Sequence, residues 1–192
     1  MLSSAKRVEN AVAERRRRGE SGGVRAHILA TGEGWRVVDC ICSADASDPA
    51  AEEQHEFALI ALVSAGAFDY RGAHGGAHLQ NGAVLLGNAG APFRCSHAHG
   101  AGDRCIAFQF APHRLEALWA VHAPRGVPAP FTRSALPANK SGTSLIAEAE
   151  ALAEGSGRVS AADLALRVAT HVLSRLGERA KVPSFRQVRV AT

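Results

Sequence analysis

Between Phe93 and Phe110 the chain reads FRCSHAHGAGDRCIAFQF, which concentrates thiols and imidazoles in one short stretch. On a strand, side chains alternate faces, so Cys95, His97 and His99 share a side. If Gly100–Gly102 forms a three-residue hairpin loop, His97 lies opposite Cys105 and His99 opposite Asp103. Cys105 then joins the same face. Two thiolates and two imidazoles suit tetrahedral zinc or another divalent transition metal. A two-residue loop shifts the register by one and sends Cys105 to the other face. The spacing C-x-H-x-H-x5-C matches no established structural zinc pattern, so two buried cysteines beside polar histidines are the alternative.

Other chemistry is harder to find. There is no Gly-x-Ser-x-Gly elbow, phosphate loop or dinucleotide fingerprint, and no catalytic residue is assigned. Cys40-Ile41-Cys42 lacks the two-residue spacing of a redox pair, and its thiols are read as acting separately. His74 and His78 read as exposed loop residues, His113 and His122 as helix-surface residues, and His171 as lying near a packing face.

The elements that must position these groups follow from local patterning. WRVVDCIC (35–42) reads as the first good strand. HEFALIALVSAG (55–66) is almost continuously apolar and continues into AFDYRG (67–72) after a bulge or break at Gly66. Asn81-Gly82 marks a turn before AVLLG, and two strands flank Gly100–Gly102. Short strands at such spacing predict a small barrel or sandwich. Pro112 opens a helix, an Ala-rich helix runs over 144–155, and Ser160 caps a longer one with Asp163 three residues on. Leu164, Val168, Val172 and Leu176, with Leu166 and Leu173 beside them, give that helix a face broad enough for both core and partner.

The order HEFALIALVSAGAFDYR, LQNGAVLLGNAGAPFRCSH, GDRCIAFQFAP resembles the N-terminal cupin domain of AraC-type transcription regulators. Ser64, Gly66, Phe68 and Tyr70, followed by Gly82, Leu85, Leu86 and Asn88, match the family's strand and turn pattern. The resemblance covers about residues 35–112 and extends more weakly through the C-terminal helices. It implies a mainly β fold with C-terminal α: a cupin-like β-barrel followed by two or three amphipathic helices. The expected organisation is a flexible basic arm at 1–23, a sensor barrel at 24–112 and a helical dimerisation segment at 113–180. A basic linker at 181–192 would lead toward a helix-turn-helix DNA reader that this chain lacks. A small-molecule effector and a homodimer are the implied partners, with Leu164, Leu166, Val168, Val172, Leu173 and Leu176 as dimer contacts. Effector-pocket candidates are Trp35, Val37, His55, Phe57, Phe93, Cys95 and His97, although a filled barrel is equally economical. Cupin metal enzymes usually carry a His-x-His pair and a following Glu on one strand. Here Phe57 follows His55 at that spacing, which counts against a metal-dependent enzyme of that kind.

Charge and composition set the remaining bounds. The 192 residues, 46% hydrophobic and 21% charged, are those of a globular chain. No apolar run approaches the roughly 18 residues that span a bilayer, and no export signal is recognised, so a cytoplasmic location with reduced cysteines is expected. Net charge is +4, but residues 1–25 carry seven Lys/Arg against three Glu, and 175–192 five against one. The basic excess therefore sits on the ends, as solvated tails or as segments lying near DNA.

Overall fold

A computed structural model describes residues 2–98, 100–122 and 131–180. The architecture is mainly antiparallel β with C-terminal helices. The described residues form nine strands: β1 (Val24–Gly32), β2 (Trp35–Asp45), β3 (Glu52–Gln54), β4 (Ala58–Gly72), β5 (Gly75–Gln80), β6 (Val84–Gly87), β7 (Pro92–Ser96), β8 (Ala101–Phe110) and β9 (Ala135–Leu136). Among the described residues four helices accompany them: α1 (Ser4–Arg18), α2 (Pro112–His122), α3 (Lys140–Ala153) and α4 (Ala161–Ala180).

The long strand β4 joins the two halves of the barrel. Its first part pairs with β8 and β6 in the path β1-β2-β8-β4-β6-β9, and its second part pairs with β5 and β7. The switch falls at the expected bulge. Pairing with β8 slips between Val63 and Ala65, and Gly66 takes φ 75°. A Cβ there would run into the Gly102 carbonyl oxygen, so glycine lets the strand turn from one sheet to the other.

Two apolar layers result. Val38, Leu59, Ala61, Val63, Phe68 and Leu79 belong to the cluster inside the barrel. Val37, Ile60, Leu62, Ile106 and Phe108 face outward against α2–α4. Successive residues of β4 thus serve different cores, which explains its unbroken apolar run.

Three sequence expectations need correction. Residues 1–23 are not a flexible arm: Ser3 caps α1 by accepting from the Lys6 N–H at 3.3 Å, and Gly19 ends it in the left-handed conformation. Val8 and Val12, one turn apart, are buried with Ala65 against the barrel. Arg15 is buried in ion pairs with Asp45 (2.6 Å) and Asp48, so part of the terminal charge holds the helix in place. Gly100–Gly102 is not a hairpin loop: β7 pairs with β3 and β4, whereas β8 pairs with β2 and β4. The connection crosses from one sheet to the other, and neither proposed register exists.

The third correction concerns the dimer face. Leu164, Val168, Val172, Leu173 and Leu176 are buried within the chain against the sheet and α2–α3. They are core residues and are not free to meet a partner. Leu166 differs, being 48% exposed. β1 and β3 were not expected as strands; both are mostly exposed. Residues 181–192 lie outside the described residues.

Candidate functional site at the barrel mouth

Cys42 and Asp103 are cross-strand partners on β2 and β8, as are Cys40 and Cys105 one step further along. Residues two apart on a strand share a face. Cys40 and Cys42 therefore point to the same side of β2, although Cys42 alone of the two lies beside both His97 and Asp103. His97, from the segment after β7, closes onto the same point: its Nε2 donates to Asp103 Oδ2 at 2.7 Å. The Cys105 thiol donates to Asp103 Oδ1 at 3.4 Å. One donor atom each from Cys42, His97 and Asp103 lies within 4.8 Å of the others, and all three residues are buried.

Burial by itself would push the His97 ring down. Its hydrogen bonds to Asp103 and Cys42 outweigh that and hold it up at about 10. Burial, reinforced by Asp39 and Asp103, pushes Cys40 up to about 12; burial and Asp103 push Cys95 to about the same value. Burial also raises Cys105 well above the thiol range, so these three thiols stay protonated and unreactive.

The site differs from the expected metal set of Cys95, His97, His99 and Cys105. Only His97 belongs to the cluster, because the hairpin that would align the four does not form. Cys95 lies half-buried on β7, packed against the inner core, and His99 is outside the described residues. Sequence reasoning missed Cys42 and Asp103. Their one sequence signal was the thiol two residues from Cys40 on a strand, and only the β2–β8 register brings it to residue 103.

The pocket candidates also divide. Trp35 and Val37 face the helix layer, since β2 turns Val38, Cys40 and Cys42 inward. Phe57 lies outside both cores, with the Arg36 guanidinium 4.1 Å from its ring centroid. His55, Phe93, Cys95 and His97 are on the inner side. His55 stacks on Phe93 with centroids 4.0 Å apart, and its Nε2 shares a 2.9 Å hydrogen bond with Tyr70 Oη. Val63, Phe68, Leu79 and Leu85 pack into the same interior, which is substantially filled. Outside it, His78 pairs with Asp69 on the surface of the second sheet.

His55 supplies a pH prediction. Burial holds it down to about 4, against roughly 6.5 when unfolded. The folded state keeps the neutral ring, so acid protonates the unfolded chain first. The contribution is complete above pH ~6.5 and declines as pH falls toward 4, by about 3 kcal/mol in all. His55→Gln is expected to flatten this window in thermal melts taken from pH 7 to 4. Asp45, lowered first by Ser47 and then by Arg16, and Asp48, lowered by the N–H groups of Gly22 and Asp45, lose their contributions only below about pH 3.9.

No family model and no curated protein matches the chain. Among solved structures the likeness is to cupin-fold proteins. The EutQ protein of Clostridium difficile is 14% identical over 47% of this chain and 70% of its own, with a TM-score of 0.41. A cupin superfamily protein from Desulfitobacterium hafniense is 14% identical over 48% and 81%, at 0.39. The DMSP lyase DddQ from Ruegeria pomeroyi is 14% identical over 46% and 47%, at 0.40. Likeness at this level carries no function, and among the described residues no helix is long and apolar enough to cross a membrane.

Proposed function

We propose that the chain is the ligand-sensing part of an AraC-type transcription regulator, with its sensing site at the barrel mouth around Cys42, His97 and Asp103. The observation that supports this reading is the position of α1. A Cβ on Gly102, beside Asp103, would meet Val8 Cγ1 at 2.7 Å, the Cys42 carbonyl oxygen at 2.8 Å and Val12 Cγ2 at 2.9 Å. The N-terminal helix and the site are therefore in direct contact through β8. An occupant with different affinities for the α1-docked and α1-released states shifts their populations, and an attached reader responds to that shift. Recognition of DNA belongs to a region beyond this chain. The proposal includes a homodimer, for which the exposed Leu166 on α4 is a contact candidate.

The test uses the product of the entire reading frame. It is expected to contain two helix-turn-helix patterns after residue 192 and to retard DNA from upstream of its own gene in a gel. A frame without them, whose product leaves that DNA unretarded, overturns the reading. A second reading, a metal-dependent cupin enzyme, is favoured by the three converging donor groups; it requires turnover that is lost with the metal.

A further inference from the structure

We propose that Cys42, His97 and Asp103 form a binding site for a borderline transition-metal ion, Zn2+ being the best match. One sulfur, one imidazole nitrogen and one carboxylate oxygen are the donor types zinc takes, and three protein ligands leave a fourth position for water or a ligand. The site is drawn from the paired strands β2 and β8 and from His97, one residue beyond the end of β7. It is distinct from a His-x-His arrangement on one strand.

The distances suit closure on an ion. Bonds of about 2.1 Å at tetrahedral angles place ligand atoms about 3.4 Å apart. The three donor atoms already lie within 4.8 Å of one another, and the His97–Asp103 contact is 2.7 Å. Replacing the bridging proton by an ion opens that contact by less than about 1 Å and draws the sulfur inward, which side-chain rotation accommodates. Ligation needs the thiolate and the neutral imidazole, so protons leave as the ion enters. Asp103 stays tied through Oδ1 to the Cys105 thiol, an outer partner that orients the carboxylate.

The geometry also separates Cys42 from the other cysteines. Cys40, Cys95 and Cys105 pack against the apolar inner cluster, whereas Cys42 is the thiol beside both a carboxylate and an imidazole. Its partners make it the ligand, not its sequence spacing. An ion here would be the effector of the proposed sensor, and that role rests on the regulator reading; the binding itself does not.

Reduced, tag-free protein stripped with a chelator is titrated with Co2+ and then with Zn2+. One equivalent of Co2+ per chain is expected to give thiolate charge-transfer absorption with tetrahedral d–d bands, bleached by Zn2+. Cys42→Ser is expected to remove the charge-transfer band. His97→Gln and Asp103→Asn are expected to weaken binding at least about 10-fold. Absence of stoichiometric binding, or a band that survives in Cys42→Ser, overturns the site. Should Cys42→Ser fail to fold, zinc-edge X-ray absorption of the native protein decides: one sulfur among the ligands supports the proposal, and none or several refutes it. Metal binding by this chain with no DNA retention by the full frame would leave the site standing and remove the regulator.

Discussion

Leu173→Glu is expected to abolish the native fold, while Leu166→Glu, seven residues earlier on the same helix, leaves it intact. Leu173 is fully buried in the layer between the outer sheet face and the helices. Removing it forfeits about 2 kcal/mol or more of apolar burial. The carboxylate that replaces it must be dehydrated in an apolar layer that includes Val168 and Val172. The combined cost exceeds about 5 kcal/mol, which is comparable with the whole stability of an ordinary domain. Far-UV circular dichroism and a thermal melt will show an unfolded or aggregated variant. Leu166 is 48% exposed, and its replacement changes stability by no more than about 0.5 kcal/mol. In light scattering, the Leu166 variant alone tests self-association through α4. A cooperative melt for Leu173→Glu near the native temperature would contradict the placement of α4 as a core helix.

Arg104→Ala should lower stability by about 3–5 kcal/mol and loosen α1. Arg104 is completely buried, and its guanidinium donates to both Asp39 oxygens at 2.8 Å and to Ser4 Oγ at 2.7 Å. Ser4 in turn donates to Glu150 on α3, so one side chain ties β8 to β2, to the start of α1 and to the helix layer. Truncation leaves the Asp39 carboxylate poorly compensated and removes the anchor at the N-terminal end of α1, whose other end is held by Arg15. A fall in Tm of roughly 10 °C is expected for a chain of this size. Limited trypsin digestion should cut first at Lys6 and Arg7. Lysine is a poor replacement because it cannot reproduce the two-pronged bond to Asp39. An unchanged Tm and digestion pattern would mean that Arg104 does not hold α1.

Local patterns made much of the β and α content legible. The run HEFALIALVSAG, the turn at Asn81-Gly82 and the apolar period of 161–180 identified β4, the entry to β6 and α4. The Ala-rich helix begins at Lys140, earlier than expected, because Asn139 caps it by accepting from the Gly142 N–H at 2.6 Å. β1 was missed although Val24, Ala26 and Ile28 alternate with polar residues. It is an edge strand on which all three are exposed, so that alternation marks no buried face. For α1, the four consecutive arginines suggested a solvated arm. The cap at Ser3 and the Val8–Val12 spacing were local signals for a docked helix.

The sequence alone determined that this chain builds a β-barrel with amphipathic helices behind it, because alternation, helical period and turn chemistry are written into neighbouring residues. Tertiary structure decided everything that depended on which strands meet. Cys42 and Asp103 are distant in sequence but directly opposed across β2 and β8, whereas Cys95 and Cys105, close in sequence, belong to strands that do not pair. Inside and outside were likewise undecidable from β4, since one face packs into the barrel and the other against helices, and both are apolar. The broad apolar face of α4 has the same ambiguity, and only the packed chain shows that the sheet occupies it. Periodicity reports that a face is buried; the partner that buries it is a property of the whole fold.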